Sequence, residues 1–131
     1  MQPSQYTIYQ QIGGEATLRR MVDVFYARVQ LDPVLSPMYP EDDLAGSKHR
    51  LSLFLGQFFG GPQTYSQERG HPRMKMRHSP YAIGPLERDT WLIHMLAAID
   101  ETGIEEPMRT LMRDYFIRTA EHLMNQPPAS P

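Results

Sequence analysis

RLSLFLGQFFGGPQTYSQERGHPRMKMRHSPYAI, residues 50–83, joins two segments of opposite character. The first half is apolar at helical spacing and stops at Gly60-Gly61-Pro62, a combination that terminates helices. The second half places six Arg, Lys or His within ten residues: Arg69, His71, Arg73, Lys75, Arg77 and His78. The whole chain is slightly acidic, with a formal charge of −2, so this basic run, threaded by Met74 and Met76, stands apart from its background. Pro72 can open a short helix here, and Pro80 forces it to end near His78 or Ser79. On that helix Met74 and His78 share one face, and Arg73 and Arg77 share the adjacent one.

Two readings of His78 stand side by side. An imidazole in the last turn, with an apolar neighbour and a cationic rim, suits an iron ligand beneath a dianionic planar cofactor. Its second ring nitrogen would then donate to a backbone carbonyl, that of Met74 being in reach. Alternatively, a His at a helix C-terminus interacts favourably with the helix dipole and need bind nothing.

Working outward, the 131 residues fit one domain with a core of its own, 40% hydrophobic and 21% charged. The chain has no cysteine, which excludes disulfides, a thiolate nucleophile and Cys-ligated zinc or iron–sulfur sites. MQPSQYTIYQQIGG lacks a basic start and an apolar run, so no signal peptide is expected, and no segment is long enough to span a bilayer. Cytoplasmic residence is the expectation. The acidic balance disfavours general nucleic-acid binding.

No strand is legible, and the punctuation is helical throughout. Thr7 and Gln10 have capping-box spacing for a very short first helix, ended by Gly13-Gly14. Glu15 to Leu31 carries Leu18, Val22, Phe25 and Val29 on one face. Asp32-Pro33 predicts a single tight turn, and Asp42-Asp43 can cap a third helix running to about Phe59. That helix would face inward through Leu44, Ser47, Leu51, Phe54, Leu55 and Phe58. A loop is expected from 60 to 71. Gly84-Pro85 opens a helix to Thr102 with Leu86, Trp91, Met95 and Ile99 inward, and Gly103 closes it. Pro107 starts the last helix, with Leu111, Tyr115, Thr119 and His122 or Leu123 repeating. The domain is expected to span 1–126, leaving 127–131 as a flexible tail.

Tyr26, Tyr39 and Trp91 each combine a large apolar body with one polar tip; they are either half-buried core aromatics or donors into a site. Ser47 and Leu51 lie one turn apart, and the Ser47 hydroxyl can either bond back to a carbonyl or line a cavity. HPRMKMRH is not a zinc pattern, and neither a phosphate-cradling Gly loop nor a Ser-His-Asp signature is present.

Taken in order and spacing, IGG at 12–14, FYARV at 25–29, MYPEDDLAG at 38–46, the quoted stretch at 50–83 and ERDTWL at 87–92 resemble a truncated haemoglobin of group II, across about residues 5–126. The resemblance implies an all-α, two-over-two helical sandwich around haem b. The helices from Glu15 and Asp43 would pair on one side, those from Pro85 and Pro107 on the other. It implies His78 as the proximal iron ligand, Tyr26, Tyr39 and Trp91 as distal residues stabilising a ligand, and Ser47 and Leu51 in the distal pocket. Arg50, Tyr65, Arg69 and Arg77 would meet the haem propionates. Phe54, Leu55, Phe58, Met74, Tyr81, Ile83 and Met95 would form apolar walls. Arg73 and Lys75 are left to solvent.

The resemblance further implies reversible binding of oxygen, nitric oxide and carbon monoxide. Donors such as Tyr26 and Trp91 would slow oxygen release, each charge-assisted hydrogen bond contributing about 1.5–3 kcal/mol. Slow release suits redox chemistry, with nitric oxide dioxygenation and peroxide reduction as the candidate reactions, better than bulk oxygen transport. A separate reductase would be a partner, and the chain would be a monomer or homodimer, with no nucleic acid and no membrane as partners. The competing readings are a haem-free helical interaction module and an RNA-binding module, each using 69–78 as a basic surface. Purified protein separates them: a red product whose Soret band is abolished by His78→Ala is expected, whereas a colourless product binding RNA in a strongly salt-dependent way would refute it.

Overall fold

The first helix forms because Thr7 and Gln10 satisfy each other. In the computed structural model, which describes residues 6–39, 41–73, 78 and 82–125, Gln10 N–H donates to the Thr7 hydroxyl (3.2 Å) and Thr7 N–H donates to the Gln10 side-chain oxygen (3.0 Å). This capping box starts α1, Ile8–Ile12. Gly13, at φ 105°, ends α1 and is also the residue before α2, Gly14–Gln30, so two helices meet with no linker. Only glycine adopts that left-handed backbone without strain.

Along α2 the expected face is fully buried at Leu18, Val22, Phe25 and Val29, with Met21 and Tyr26 beside it. The chain then turns where Val34 N–H donates to the Asp32 carboxylate (2.8 Å). Short 3-10 turns at Ser36–Met38 and Glu41–Asp43 lead into α3, Leu44–Phe58. After these come α4, Thr64–Arg69, α5, Pro85–Thr102, and α6, Met108–Leu123. Among the described residues every regular element is helical. None of these helices is long and apolar enough to cross a membrane.

α2 packs most extensively on α5 and next on α3, while α5 packs on α6. α2–α3 and α5–α6 are therefore the two pairs, joined where α2 meets α5, as the two-over-two arrangement requires. Tyr9 N–H donates to the Phe59 carbonyl (2.9 Å), pinning α1 to the end of α3. Gly60, at φ 95°, lies so close to Thr7 that a Cβ there would collide with it.

Several expectations change. The predicted loop from 60 to 71 contains α4, because Gln57 of α3 accepts from Ser66 N–H (2.9 Å) and donates to its hydroxyl (2.7 Å). No helix starts at Pro72, since Arg73 has a left-handed φ of 49°. His78 is helical, while 74–77, 79–81 and the tail 127–131 lie outside the described residues. Asp43 occupies the N-cap position of α3 but its carboxylate pairs with Arg50 instead of capping. Leu86, expected inward, is 61% exposed, and Phe58 is 51% exposed. On α6 the phase is one residue off: Met112, Phe116 and Ala120 are buried, and Leu111 is exposed.

A polar latch ties the end of α2 to α5. His94 Nε2 lies 2.7 Å from Asp32 Oδ2, and Arg28 Nε donates to His94 Nδ1 (3.1 Å). Because Nδ1 accepts, Nε2 carries the imidazole proton and donates it to Asp32. Arg28 also pairs with Glu101 (3.3 Å). The hydrogen bond from His94, then that from Val34 N–H, holds the Asp32 carboxyl below its ordinary 3.8. A lowered carboxyl contributes stability above its ordinary value and loses that contribution as pH falls through its folded value.

Two outcomes follow for stability. Phe25→Ala, which empties a fully buried position at the α2–α5 crossing, is expected to destabilise the fold by about 3–5 kcal/mol in denaturant unfolding. Asp32→Asn is expected to be less stable than wild type at neutral pH, with the gap closing below 3.8. A gap that persists undiminished at about pH 2 would show that the carboxylate charge is not what the latch uses.

Candidate functional site

Successive residues of α2 divide the interior. Phe25 faces the core with no exposed surface, and Tyr26, 3% exposed, lines a cavity of about 330 Å³. The Phe25 ring lies edge-to-face against Tyr26 (5.5 Å between centroids), Tyr39 (6.1 Å) and Trp91 (5.4 Å). Tyr26 and Tyr39 are themselves edge-to-face at 5.3 Å. Three aromatics with polar tips, from α2, the 3-10 turn region and α5, are thus fixed around one apolar ring and all reach the same cavity.

α3 supplies Ser47, Arg50, Leu51, Phe54 and Leu55 to the cavity wall, and α4 supplies Tyr65 and Arg69. His78 and Ile83 line it too. Twelve of the residues singled out from the sequence therefore converge: Tyr26, Tyr39, Ser47, Arg50, Leu51, Phe54, Leu55, Tyr65, Arg69, His78, Ile83 and Trp91. Two do not reach it. Met95 is fully buried in the core, and Phe58 stacks on Tyr115 at 3.9 Å between ring centroids. Met74, Arg77 and Tyr81 lie outside the described residues.

Burial pushes the Tyr26 phenol above its ordinary 10.0, with hydrogen bonding to the neighbouring Ser47 and the charge of Arg50 offsetting part of the rise. Tyr26 is therefore a neutral phenol with a proton to donate at any ordinary pH. Arg50 Nη2 donates to Asp43 (2.5 Å) and to the Ser47 hydroxyl (3.3 Å). On α6, Tyr115 is likewise raised by burial and hydrogen-bonds Thr119, and both border the cavity.

The sequence reading missed three contributors. Glu87 and Arg88 of α5 line the cavity; Glu87 accepts from Gly84 N–H (2.7 Å) at the helix start, and Arg88 pairs with Asp89 (2.9 Å). Their place beside Trp91 in ERDTWL was the available signal. Asn125 was invisible to pattern reading. Its N–H donates to the Ile83 carbonyl and its side-chain oxygen accepts from Ile83 N–H, both at 2.8 Å, while its Nδ2 lies 3.5 Å from the His78 carbonyl.

Among the described residues no three His, Cys, Asp or Glu gather to hold a metal ion. A single imidazole does suffice for iron already held by a macrocycle, as in haem. The cavity has the remaining features such a group needs: apolar walls from Leu51, Phe54, Leu55 and Ile83, and guanidinium groups at Arg50, Arg69 and Arg88 for anionic substituents. The donor set fits haem.

Comparison with known proteins agrees with this geometry. The bacterial-like globin family model matches residues 7–125. The chain is 39% identical over 116 residues to the group 2 truncated haemoglobin YjbI of Bacillus subtilis, covering 88% of this chain and 87% of that protein. A haemoglobin structure from the thermophilic phototroph Chloroflexus aurantiacus superposes with a TM-score of 0.90 at 57% identity, covering 93% of this chain and all of that one. A truncated oxygen-avid haemoglobin from Bacillus subtilis superposes with a TM-score of 0.86 at 38% identity, covering 92% and 100%. With the helical pairing, the imidazole-bearing cavity and these matches in agreement, the chain belongs to the bacterial-like globin family, as a truncated haemoglobin of group II.

Proposed function

We propose that His78 holds the iron of haem b and that Tyr26 and Trp91 donate hydrogen bonds to a diatomic ligand, so that oxygen is released slowly. Truncated haemoglobins are haem proteins that bind oxygen. When bound, haem supplies an iron with one position open to oxygen, nitric oxide or carbon monoxide. The chain supplies the rest. A neutral His78 imidazole offers its ring nitrogen as ligand. Arg50 and Arg69, with Arg77 and the Tyr65 hydroxyl, neutralise and hydrogen-bond the propionates. Leu51, Phe54, Leu55 and Ile83 exclude water, which strengthens every polar contact inside.

The observation that carries this reading is the placement of Tyr26, Tyr39 and Trp91 in the same cavity as His78, with the Tyr26 phenol kept protonated by burial. Each hydrogen bond donated to a ligand that gathers negative charge stabilises it by about 1.5–3 kcal/mol. The oxygen avidity of the Bacillus subtilis relative accords with this. A ligand held so tightly is poorly suited to bulk transport. The site suits redox chemistry of oxygen with nitric oxide, or of peroxide, with electrons returned by a separate reductase. Family membership leaves the haem-free docking module and the RNA-binding module without support.

In stopped-flow measurements on the haem-loaded protein, Tyr26→Phe and Trp91→Phe are each expected to speed oxygen dissociation about ten- to a hundredfold. If both variants release oxygen at the wild-type rate, the donor reading is wrong.

A further inference from the structure

We propose that Gln57 of α3, which does not border the cavity, helps to retain the haem by capping α4 from a distance, so that Tyr65 and Arg69 stay at the cavity wall. Gln57 is in this sense a positioning residue. The inference rests on the reading of Tyr65 and Arg69 as partners of the propionates and adds what holds them in place.

α4, Thr64–Arg69, has six residues. A helix this short is marginal in water by itself. Its first N–H groups have no partner within the helix, and a side chain at the N-cap normally accepts from the second or third of them. Gln63 at the N-cap makes no such bond, and the first turn holds no acidic residue. The missing acceptor comes from another helix. Gln57 Oε1, nine residues back, accepts from the N–H of Ser66, the third residue of α4 (2.9 Å). The same amide donates from Nε2 to the Ser66 hydroxyl (2.7 Å). At the other end, where α4 stops, the Ser66 carbonyl accepts from Gly70 N–H (2.8 Å). Both ends of the helix are thus fastened through Ser66, and Ser66 is fastened to α3.

The neighbours of Ser66 show what this fixes. Tyr65 is buried and borders the cavity, with its ring edge-to-face on Phe54 of α3 (5.6 Å between centroids). Arg69, four residues on, shares that helical face and reaches the same cavity. A further polar tie between α3 and α4, His49 with Glu68 at 3.6 Å, joins half-exposed side chains and adds little. Loss of the Gln57 amide would leave the Ser66 N–H and hydroxyl without this partner at a helix start. α4 would then unwind more readily, and the Tyr65 hydroxyl and the Arg69 guanidinium would leave the wall together.

Haem transfer from the loaded full chain to excess apomyoglobin measures retention, and amide hydrogen exchange reports on α4. Gln57→Leu is expected to lose ferric haem about fivefold faster or more. Exchange should quicken at 66–70 and stay unchanged in the middle of α2, Gly14–Gln30. Gln57→Glu, whose carboxylate can accept from both the Ser66 N–H and its hydroxyl, is expected to restore wild-type retention. Ser66→Ala, which removes one of the two bonds, is expected to give a smaller rise. On a Tyr65→Phe/Arg69→Gln background, Gln57→Leu should not change the rate further. The proposal is overturned if the Tyr65→Phe/Arg69→Gln protein loses haem faster while Gln57→Leu does not; the two side chains then hold the cofactor without the cap. It is also overturned if Gln57→Leu speeds loss equally with and without those two side chains, or if α2 exchanges faster as well, since either marks a general loosening. If the Tyr65→Phe/Arg69→Gln protein keeps its haem as wild type does, the propionate reading fails and this one fails with it.

Discussion

The edge-to-face packing of Phe25 against Tyr26, Tyr39 and Trp91 is the interaction on which the rest depends. A cavity of about 330 Å³ lies beside this cluster. The aromatics that border it are backed by a ring with no exposed surface. The same contact lets each aromatic pack its apolar body against the core while the residue also borders the cavity, so the core and the cavity wall draw on one set of side chains.

That arrangement also divides the inward surfaces of α3 and α6. Each helix has two inward directions, one toward solid core and one toward the cavity. On α6 Met112 takes the first, Tyr115, Thr119 and Leu123 take the second, and Phe116 and Ala120 are buried in the core and also border the cavity. On α3 Ser52 and Gly56 are buried away from the cavity, Ser47, Leu51 and Phe54 border it, and the buried Leu55 does both. A group that fills the cavity covers the second set, so its binding and the stability of the fold are linked by mass action.

Much of this was legible in the sequence where local chemistry decides. The Thr7–Gln10 cap, the Gly13 and Gly103 stops and the α2 face at Leu18, Val22, Phe25 and Val29 all follow from rules acting within a few residues. The cavity residues were legible through family motifs more than through periodicity, since a lone His78 or a lone Tyr26 reads equally well as ordinary structure. What stayed hidden depends on distant partners. α4 exists because Gln57 holds Ser66. The phase of α6 was misread because Leu111 and Met112 are equally apolar and only packing against α5 chooses between them. Asp43 looked like a cap, but Arg50, seven residues on, claimed its carboxylate.

Asn125 shows how far such distant ties reach. Its paired bonds to the Ile83 backbone knit the exit of α6 to the residues just before α5. Segments joined in this way open and close as a single cooperative unit in native-state exchange. Fraying at the last turn of α6 and slackening of the cavity wall at Ile83 are then coupled, so the far end of that helix helps to keep the cavity's shape.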